Sequence, residues 1–157
     1  MKHLAIIVPD GQSNLSTVAC LVGAYEIFSA ANAYRKAAGG DELFKIELTG
    51  VTKAAEFDNG LLTVKVQADI SAISRTHLII IPSLARDFQA FSKGNKLLID
   101  WMEGQYKYGA EIASMCTGAF MLASTGLLNG KNCSTHWSAA DTFRSSFPKV
   151  NLKPQNL

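Results

Sequence analysis

The residue types best suited to chemistry in this chain are a cysteine and a histidine, Cys116 and His136. Cys116 stands in the segment Ser-Met-Cys-Thr-Gly, which resembles a G-x-S-x-G nucleophile elbow with cysteine as nucleophile and serine replacing the first glycine. A side chain held between a strand end and a helix start lies beside unpaired backbone N–H groups, which favour a thiolate over a thiol. A cysteine between apolar residues is also often a small buried hydrophobe, so the local pattern supports both interpretations.

His136 is the predicted partner of Cys116, because a cysteine nucleophile needs an imidazole that stabilises its thiolate and relays a proton. A helix and a short strand fit between the two residues and can return the chain to the edge of the elbow. The alternative is that His136, followed by Trp137, caps or packs against a helix start. The remaining histidines and cysteines are predicted to be structural; they are His3, His77, Cys20 and Cys133.

Strand-like and helix-like segments alternate along the chain, and these elements must position the two residues. The apolar runs are continuous, which is typical of strands covered on both faces. Strands are predicted at 4–8, 44–49, 62–66, 77–81 and 111–114, with a short one around Cys133, and the region 51–70 has the least clear pattern. Helices are predicted at 16–38, 95–106, 119–125 and 138–147, the third ending at Gly126. A strand, a sharp turn and a helix therefore surround Cys116, which favours the elbow interpretation.

This alternation predicts an α/β fold with a mostly parallel sheet and helices on both faces, in a single domain over 1–157. Ligands of such sheets bind beyond the carboxyl ends of the strands. The loops 9–14 and 82–84 and the Cys116 turn all follow predicted strands, so a pocket with Cys116 at its floor is expected if those strands are neighbours. The predicted ligand-binding residues are Asp10, Gly11, Ser83, Cys116, Thr117 and His136.

Composition narrows the classes of function. The chain has 157 residues, of which 48% are hydrophobic and 18% charged, as expected for a globular domain. The net charge of +2 comes from scattered basic residues and offers no electrostatic footprint for nucleic acid. The first apolar run is too short for a signal sequence or a membrane span, and three cysteines lack metal-site spacing. We therefore expect a cytoplasmic protein with reduced thiols, no membrane partner, no metal and no cofactor.

The segment SMCTGAFMLASTGLLNGKNCSTHW resembles the ThiJ/PfpI group of the class I glutamine amidotransferase-like superfamily. More narrowly, C-T-G-A-F-x-L-A-x-x-G-L-L-x-G followed by T-H-W is similar to the N-terminal domains of AraC-family transcription regulators. The opening IIVPDG, the YEIF segment with a following Ala-Asn, and HLIIIP fit the same order over nearly the whole chain. This resemblance implies a flavodoxin-like three-layer sandwich, usually a homodimer, in which Cys116 takes the elbow position and His136 the histidine position.

Two departures from the family pattern argue against an enzyme. Hydrolytic members place an acidic residue beside the cysteine, but the matching stretch 13–17 has none, and Glu26 lies about 15 Å further along the predicted helix. The family often has glycines after the strand that matches HLIII, whereas this chain has Pro82-Ser83-Leu84. The backbone donors of an oxyanion hole are therefore doubtful here.

Three hypotheses follow from the resemblance. The first is the ligand-sensing and dimerising domain of an AraC-like regulator, which binds a small metabolite over Cys116 and reaches DNA only through a C-terminal helix-turn-helix domain absent from this chain. The alternative is a cysteine-dependent hydrolase-like or hydratase-like enzyme with Cys116 and His136 as catalytic pair, and the third is a redox sensor oxidised at Cys116. The family domain also continues through a further strand and helix that these 157 residues lack. The missing carboxylate favours the regulator.

Overall fold

A five-stranded parallel sheet forms the centre of the molecule in the computed structural model, which describes residues 1–11, 14–85 and 94–153. The strands lie in the order β5-β2-β1-β6-β7, and all four pairings are parallel. The bounds are β1 Lys2–Ile7, β2 Phe44–Gly50, β5 Ala68–Asp69, β6 Leu78–Ile81 and β7 Glu111–Ser114. The carboxyl ends of β1, β6 and β7 therefore lie side by side, as the sequence-based prediction of a pocket requires.

Helices cover both faces of this sheet. On one face, α1 (Leu15–Ala37) packs Leu21 and Ala24 against Leu4 and Ile6 of β1. On the other face, α2 (Lys96–Lys107) and α3 (Ala119–Ser124) pack against alternate side chains of β1 and β6; the cluster includes Ile7, Ile79, Ile81, Leu98, Met102 and Met121. The continuous apolar runs of the strands are explained by this burial from two sides. The predicted α/β class and the two helical layers are confirmed.

A β-hairpin occupies the region whose pattern was unclear from sequence. Its strands are β3 (Ala54–Phe57) and β4 (Leu62–Lys65), which pair antiparallel across a turn. The three turn residues Asp58, Asn59 and Gly60 all have positive φ, which is typical of tight hairpin connections. Phe57 is fully buried and joins the core on the α1 side, so the hairpin extends that layer.

The segment after α3 forms a small separate layer that carries His136. β8 (Asn132–Cys133) and β9 (Asn151–Leu152) pair in parallel, and α4 (Ala140–Ser146) lies between them in sequence. The rings of Phe120 and Phe143 meet edge-on with centroids 5.0 Å apart, which joins α3 to α4. The helix predicted at 138–147 is confirmed for Ala140–Ser146, but it is preceded by a 3-10 turn at Trp137–Ala139.

Candidate functional site

Cys116 occupies a sharp turn between β7 and α3. Its φ is +54°, and a 3-10 turn over Cys116–Gly118 leads directly into the helix. For a residue with a Cβ, the left-handed region costs roughly 1–2 kcal/mol, so the surrounding structure must hold this backbone in place. The side chain is exposed, and it projects where the strand ends. The expected strand, turn and helix around Cys116 are therefore present in the structure.

Close packing at Gly118 holds this turn against the end of β6. A Cβ placed on Gly118 would lie 2.5 Å from the carbonyl oxygen of Pro82 and 2.9 Å from that of Ile81, so glycine is required here by space. The Met115 N–H also donates to the Ile81 carbonyl at 2.9 Å. On the other side, the buried hydroxyl of Thr135 donates to the Cys116 carbonyl at 3.2 Å. The strained peptide is thus fixed from two directions.

Thr117 ties the turn to the loop after β6. Its hydroxyl accepts a hydrogen bond from the backbone N–H of Leu84 at 2.8 Å and donates one to the Leu84 carbonyl at 2.9 Å. Both residues are buried, so these two bonds satisfy backbone groups that water does not reach. The Leu84 N–H is consequently committed to Thr117 and does not face the cavity as an oxyanion donor.

The first turn of α1 completes the site. Asn14 caps the helix, because its Oδ1 accepts from the Thr17 N–H at 3.2 Å. The Thr17 hydroxyl donates to the carbonyl oxygen of Ser83 at 2.8 Å, and the hydroxyls of Ser16 and Ser83 lie 3.0 Å apart. The start of α1 and the loop after β6 are therefore held together next to the Cys116 turn.

A cavity of about 330 Å³ opens between these segments. Four of the predicted ligand-binding residues line it: Ser83, Cys116, Thr117 and His136. The other lining residues are Asn14, Ser16, Leu84, Ser138, Ala139 and Thr142. Of the side chains that sequence reasoning missed, only Asn14 had a signal, as a capping residue before an apolar periodic segment. The other polar side chains reach the cavity through contacts between segments far apart in sequence.

The two remaining predicted residues lie outside this lining. The Asp10 carboxylate accepts a hydrogen bond from the Thr52 hydroxyl at 2.6 Å. The backbone of Asp10 exchanges two hydrogen bonds with the side chain of Asn95, each 2.9 Å long. Gly11 follows with a φ of +95°, and Gln12 and Ser13, which the sequence analysis included in this loop, fall outside the described residues. Asp10 therefore ties the loop to α2, and no carboxylate is present among the described residues that line the cavity.

His136 has the capping role that the sequence offered as one alternative, while its role as partner of Cys116 stays a prediction. It lines the cavity and also caps the 3-10 turn at Trp137–Ala139. Its Nδ1 accepts from the backbone N–H of Ser138 at 3.2 Å and lies 2.8 Å from the Ser138 hydroxyl. His136 is thus placed in the same cavity as Cys116, with one of its two ring nitrogens already engaged.

The other cysteines differ from Cys116 in their surroundings. Cys20 and Cys133 are both half-buried, and all three thiols are free. Burial raises the pKa of the Cys133 thiol above its ordinary value, so it is less reactive at neutral pH. Within the ranges 1–11, 14–85 and 94–153, no group of histidine, cysteine and acidic side chains could hold a metal ion.

Comparison with known proteins identifies the family of this chain. The model of the DJ-1/PfpI family matches residues 24–150. The HTH-type transcriptional regulator GbdR of Pseudomonas aeruginosa is 35% identical over 54 residues, which are 34% of this chain and 15% of GbdR. The chain therefore spans only a small part of this curated relative.

Two solved structures share the fold over nearly the whole chain. A candidate transcriptional regulator from Vibrio parahaemolyticus superposes with a TM-score of 0.82 at 22% identity, over 99% of this chain and 77% of that one. An AraC family transcriptional regulator from Pseudomonas putida superposes with a TM-score of 0.74 at 15% identity, over 98% and 77%. The predicted flavodoxin-like fold is confirmed at the level of the α/β domain.

Proposed function

Because the chain belongs to the DJ-1/PfpI family and resembles the N-terminal domains of AraC-family transcriptional regulators, we propose that it senses a small molecule in the cavity beside Cys116. In this proposal it is the ligand-binding and dimerising part of such a regulator, it acts in the cytoplasm, and DNA is contacted by a separate helix-turn-helix domain. The observation that carries the proposal is a cavity built around the elbow cysteine in which the described lining residues include no acid.

The lining supports binding better than turnover. A cysteine hydrolase needs a general base and donors for a developing oxyanion. Here the described lining has no carboxylate, and the Leu84 N–H is already bound to the Thr117 hydroxyl. Apart from the Cys116 thiol, the polar side chains of the described lining are hydroxyls, an amide and an imidazole, which are the groups that orient a small polar ligand.

A cavity-filling variant tests the sensing role. Thr142 lines the cavity from the exposed side of α4, whereas Ser145 is exposed on the same helix and is absent from the lining. We expect small metabolites that raise the melting temperature of the wild type also to do so for Ser145→Trp, but not for Thr142→Trp, because the indole fills the binding space. An equal response of both variants, or no stabilising compound in a metabolite library, would contradict the proposal.

The outer face of α1 supports dimerisation. Ile27 and Tyr34, which lie about two turns apart on the same side of this long apolar helix, are 68% and 82% exposed. Large exposed apolar surfaces of this kind are usually covered by a partner. Among the described residues, only α1 is long and apolar enough to cross a membrane, but its inner face covers β1, which would be exposed if the helix left the sheet. We therefore assign the outer face to a second copy of the chain.

Light scattering on the eluting protein tests this interface. The wild type is expected to be a dimer and Ile27→Glu a monomer, because a buried unpaired carboxylate opposes association. Leu97→Glu is the matched control, since Leu97 is 63% exposed on α2, which covers the opposite face of the sheet, and should leave the dimer intact. A monomeric wild type, or binding of the wild type to lipid vesicles in place of self-association, would contradict the dimer.

One observation favours the alternative, a cysteine-dependent enzyme. The Cys116 thiol is exposed at a positive φ, which is the conformation in which a nucleophile elbow presents its side chain. If this alternative is right, small amide, nitrile or aldehyde substrates are consumed by the wild type and not by Cys116→Ser. No turnover of any of these compounds by the wild type leaves sensing as the function of the cavity.

A further inference from the structure

The hydrogen bonds of His136 determine which of its ring nitrogens carries a hydrogen. A backbone N–H can only donate, so the bond from the Ser138 N–H at 3.2 Å requires a lone pair on Nδ1. The hydrogen of the neutral ring is then on Nε2. The Ser138 hydroxyl, 2.8 Å from Nδ1, donates to the same nitrogen for the same reason.

This tautomer changes what His136 can do in the cavity. A general base must offer an unprotonated nitrogen to the thiol, but the unprotonated nitrogen of His136 already accepts two hydrogen bonds from Ser138. The remaining polar group of the ring is the Nε2–H, which is a donor. His136 is therefore suited to bind an acceptor atom of a ligand rather than to take a proton from Cys116.

The rest of the described lining also favours a ligand with acceptor atoms or a negative charge. The described lining residues include no Asp or Glu that could pair with a cationic ligand. The Ser16 hydroxyl donates to Asn14 Oδ1 at 2.5 Å, so of the Ser16 and Ser83 pair, 3.0 Å apart, only the Ser83 hydroxyl can donate to a ligand. The Thr117 hydroxyl is used on both sides by Leu84. The first turn of α1 contains no acidic residue, so the partial positive charge of the helix start also favours a negative ligand. A volume of about 330 Å³ limits the ligand to a small metabolite.

We propose that the ligand of this cavity is a small carboxylate whose oxygens are bound by the Nε2–H of His136 and by the hydroxyl of Ser83. The inference rests on the proposed sensing function, and it adds the chemical class of the ligand. The negative charge, which the described lining residues do not contain, comes from the ligand, and the protein supplies the hydrogen-bond donors.

Compounds that share a carbon chain but differ in their head group test whether the ligand is a carboxylate. We would titrate the wild type with propionate, propionamide and propylamine, and with the same head groups on butyl and pentyl chains, following backbone amide shifts by NMR. The carboxylates should bind about tenfold more tightly than the amides, as expected for hydrogen bonds to a charged acceptor, and the amines should not bind. Amines that bind as well as carboxylates, or no binding by any compound, would overturn the proposal.

Two substitutions separate the donor of His136 from its capping role. His136→Asn keeps an acceptor for the Ser138 N–H but has no group at the Nε2 position, so it should lose carboxylate affinity about tenfold at an unchanged melting temperature. His136→Gln places an amide donor near the Nε2 position and loses the cap, so it should melt lower and keep more of the affinity. Equal carboxylate affinity in the wild type and His136→Asn would overturn the assignment of the Nε2–H as a donor to the ligand. Ring ¹⁵N shifts of His136 that show the neutral ring protonated at Nδ1 would overturn it as well.

The same samples distinguish failure of the ligand class from failure of the sensing function. If the chain is an enzyme, NMR spectra of the wild type with propionamide will show the amide being consumed, and Cys116→Ser will abolish this. The propionate affinity measured in Cys116→Ser still tests the ligand class. If the protein binds some of these compounds without preferring carboxylates and without turnover, the proposed ligand class is wrong, but the proposed sensing function is not contradicted.

Discussion

At the scale of single residues, the backbone of Cys116 combines an unfavourable conformation with an exposed reactive group. Its φ of +54° is held by Thr135 at the carbonyl and by the close approach of Gly118 to β6. Strain of this kind persists where the surrounding structure determines the conformation, and it is common at functional sites. Local sequence alone could not separate this arrangement from a buried structural cysteine, because both have small and apolar neighbours.

The strain predicts an unusual order of stabilities at position 116. Cys116→Gly should be more stable than Cys116→Ala by about 1 kcal/mol, because glycine adopts positive φ freely, and this relief exceeds its cost in unfolded-chain entropy. Urea denaturation of the two variants measures the difference. An alanine variant as stable as the glycine variant would show that the positive φ costs nothing here.

At the scale of elements, the site depends on the contact of the turn between β7 and α3 with the end of β6. Gly118 permits the approach, and Thr117 joins the two chains through Leu84. The cavity lies beside this junction, so its shape depends on the same contacts.

Gly118→Ala is expected to destabilise the fold by about 1–3 kcal/mol, because the added methyl group would overlap the backbone carbonyls of Ile81 and Pro82. Gly23→Ala in α1 is the control, since nothing lies within 4 Å of its Cβ position and alanine is the better helix former. The free energy of unfolding of Gly23→Ala should rise by about 0.5–1 kcal/mol. Thermal or urea unfolding measures both, and a Gly118→Ala variant as stable as the wild type would contradict the close approach.

Thr117→Val should cost about 2 kcal/mol of unfolding free energy, because it removes the partner of two buried backbone groups of Leu84 while keeping the side-chain shape. Thr142→Val, at an exposed position of the same cavity, should stay within about 0.5 kcal/mol of the wild type. Similar losses in both variants would mean that the Leu84 hydrogen bonds contribute nothing specific.

At the scale of the whole molecule, the two ends of the sheet have different roles. The carboxyl ends of the strands form the cavity, while the amino end of β1 carries a polar network centred on His3. Its ring bonds the Glu47 carboxylate of β2 at 2.7 Å and the Thr76 hydroxyl before β6 at 2.9 Å, and Lys45 also pairs with Glu47. This network joins three neighbouring strands, which agrees with the structural role predicted for His3.

The network predicts a pH dependence of global stability. Partial burial would raise the pKa of Glu47, but hydrogen bonds from Lys45 and His3 and their positive charges outweigh it and lower the pKa below its ordinary value. A carboxyl group whose pKa is lower in the folded than in the unfolded protein stabilises the fold at pH values above its unfolded pKa of about 4.5. This stabilisation is lost as the pH falls through the lower pKa of the folded state. Glu47→Gln should therefore be less stable than the wild type at pH 7, and the gap should close below pH 4.5.

Denaturation curves at several pH values measure this gap. Glu56→Gln is the control, because Glu56 is exposed on the hairpin and its substitution should leave the profile unchanged. A gap between Glu47→Gln and the wild type that stays constant as the solution is acidified would rule out the charge of Glu47 as the cause.

Most of the elements could be predicted from sequence because their signals are local. The continuous apolar runs predicted β1, β6 and β7, and the helical spacing predicted α1 to within one residue at each end. The hairpin over 54–65 was only partly recognised, since β3 is a short strand with alternating exposure and little apolar content. Chain order then restricted the topology, because parallel strands joined by helices form one sheet.

The sequence by itself determined the parallel α/β fold, the order of strand, turn and helix around Cys116, and the family, since these follow from residue types at fixed spacing along the chain. Only the tertiary structure decided which side chains share the cavity: it brought Ser16 and Thr142 to Cys116 and placed Asp10 against Thr52 instead. The bond from Ser138 to Nδ1 of His136 is instead a local contact, which the sequence offered only as one alternative. The physical reason is that a hydrogen bond depends on distances and angles between atoms, and segments far apart in sequence acquire these only when the core packs.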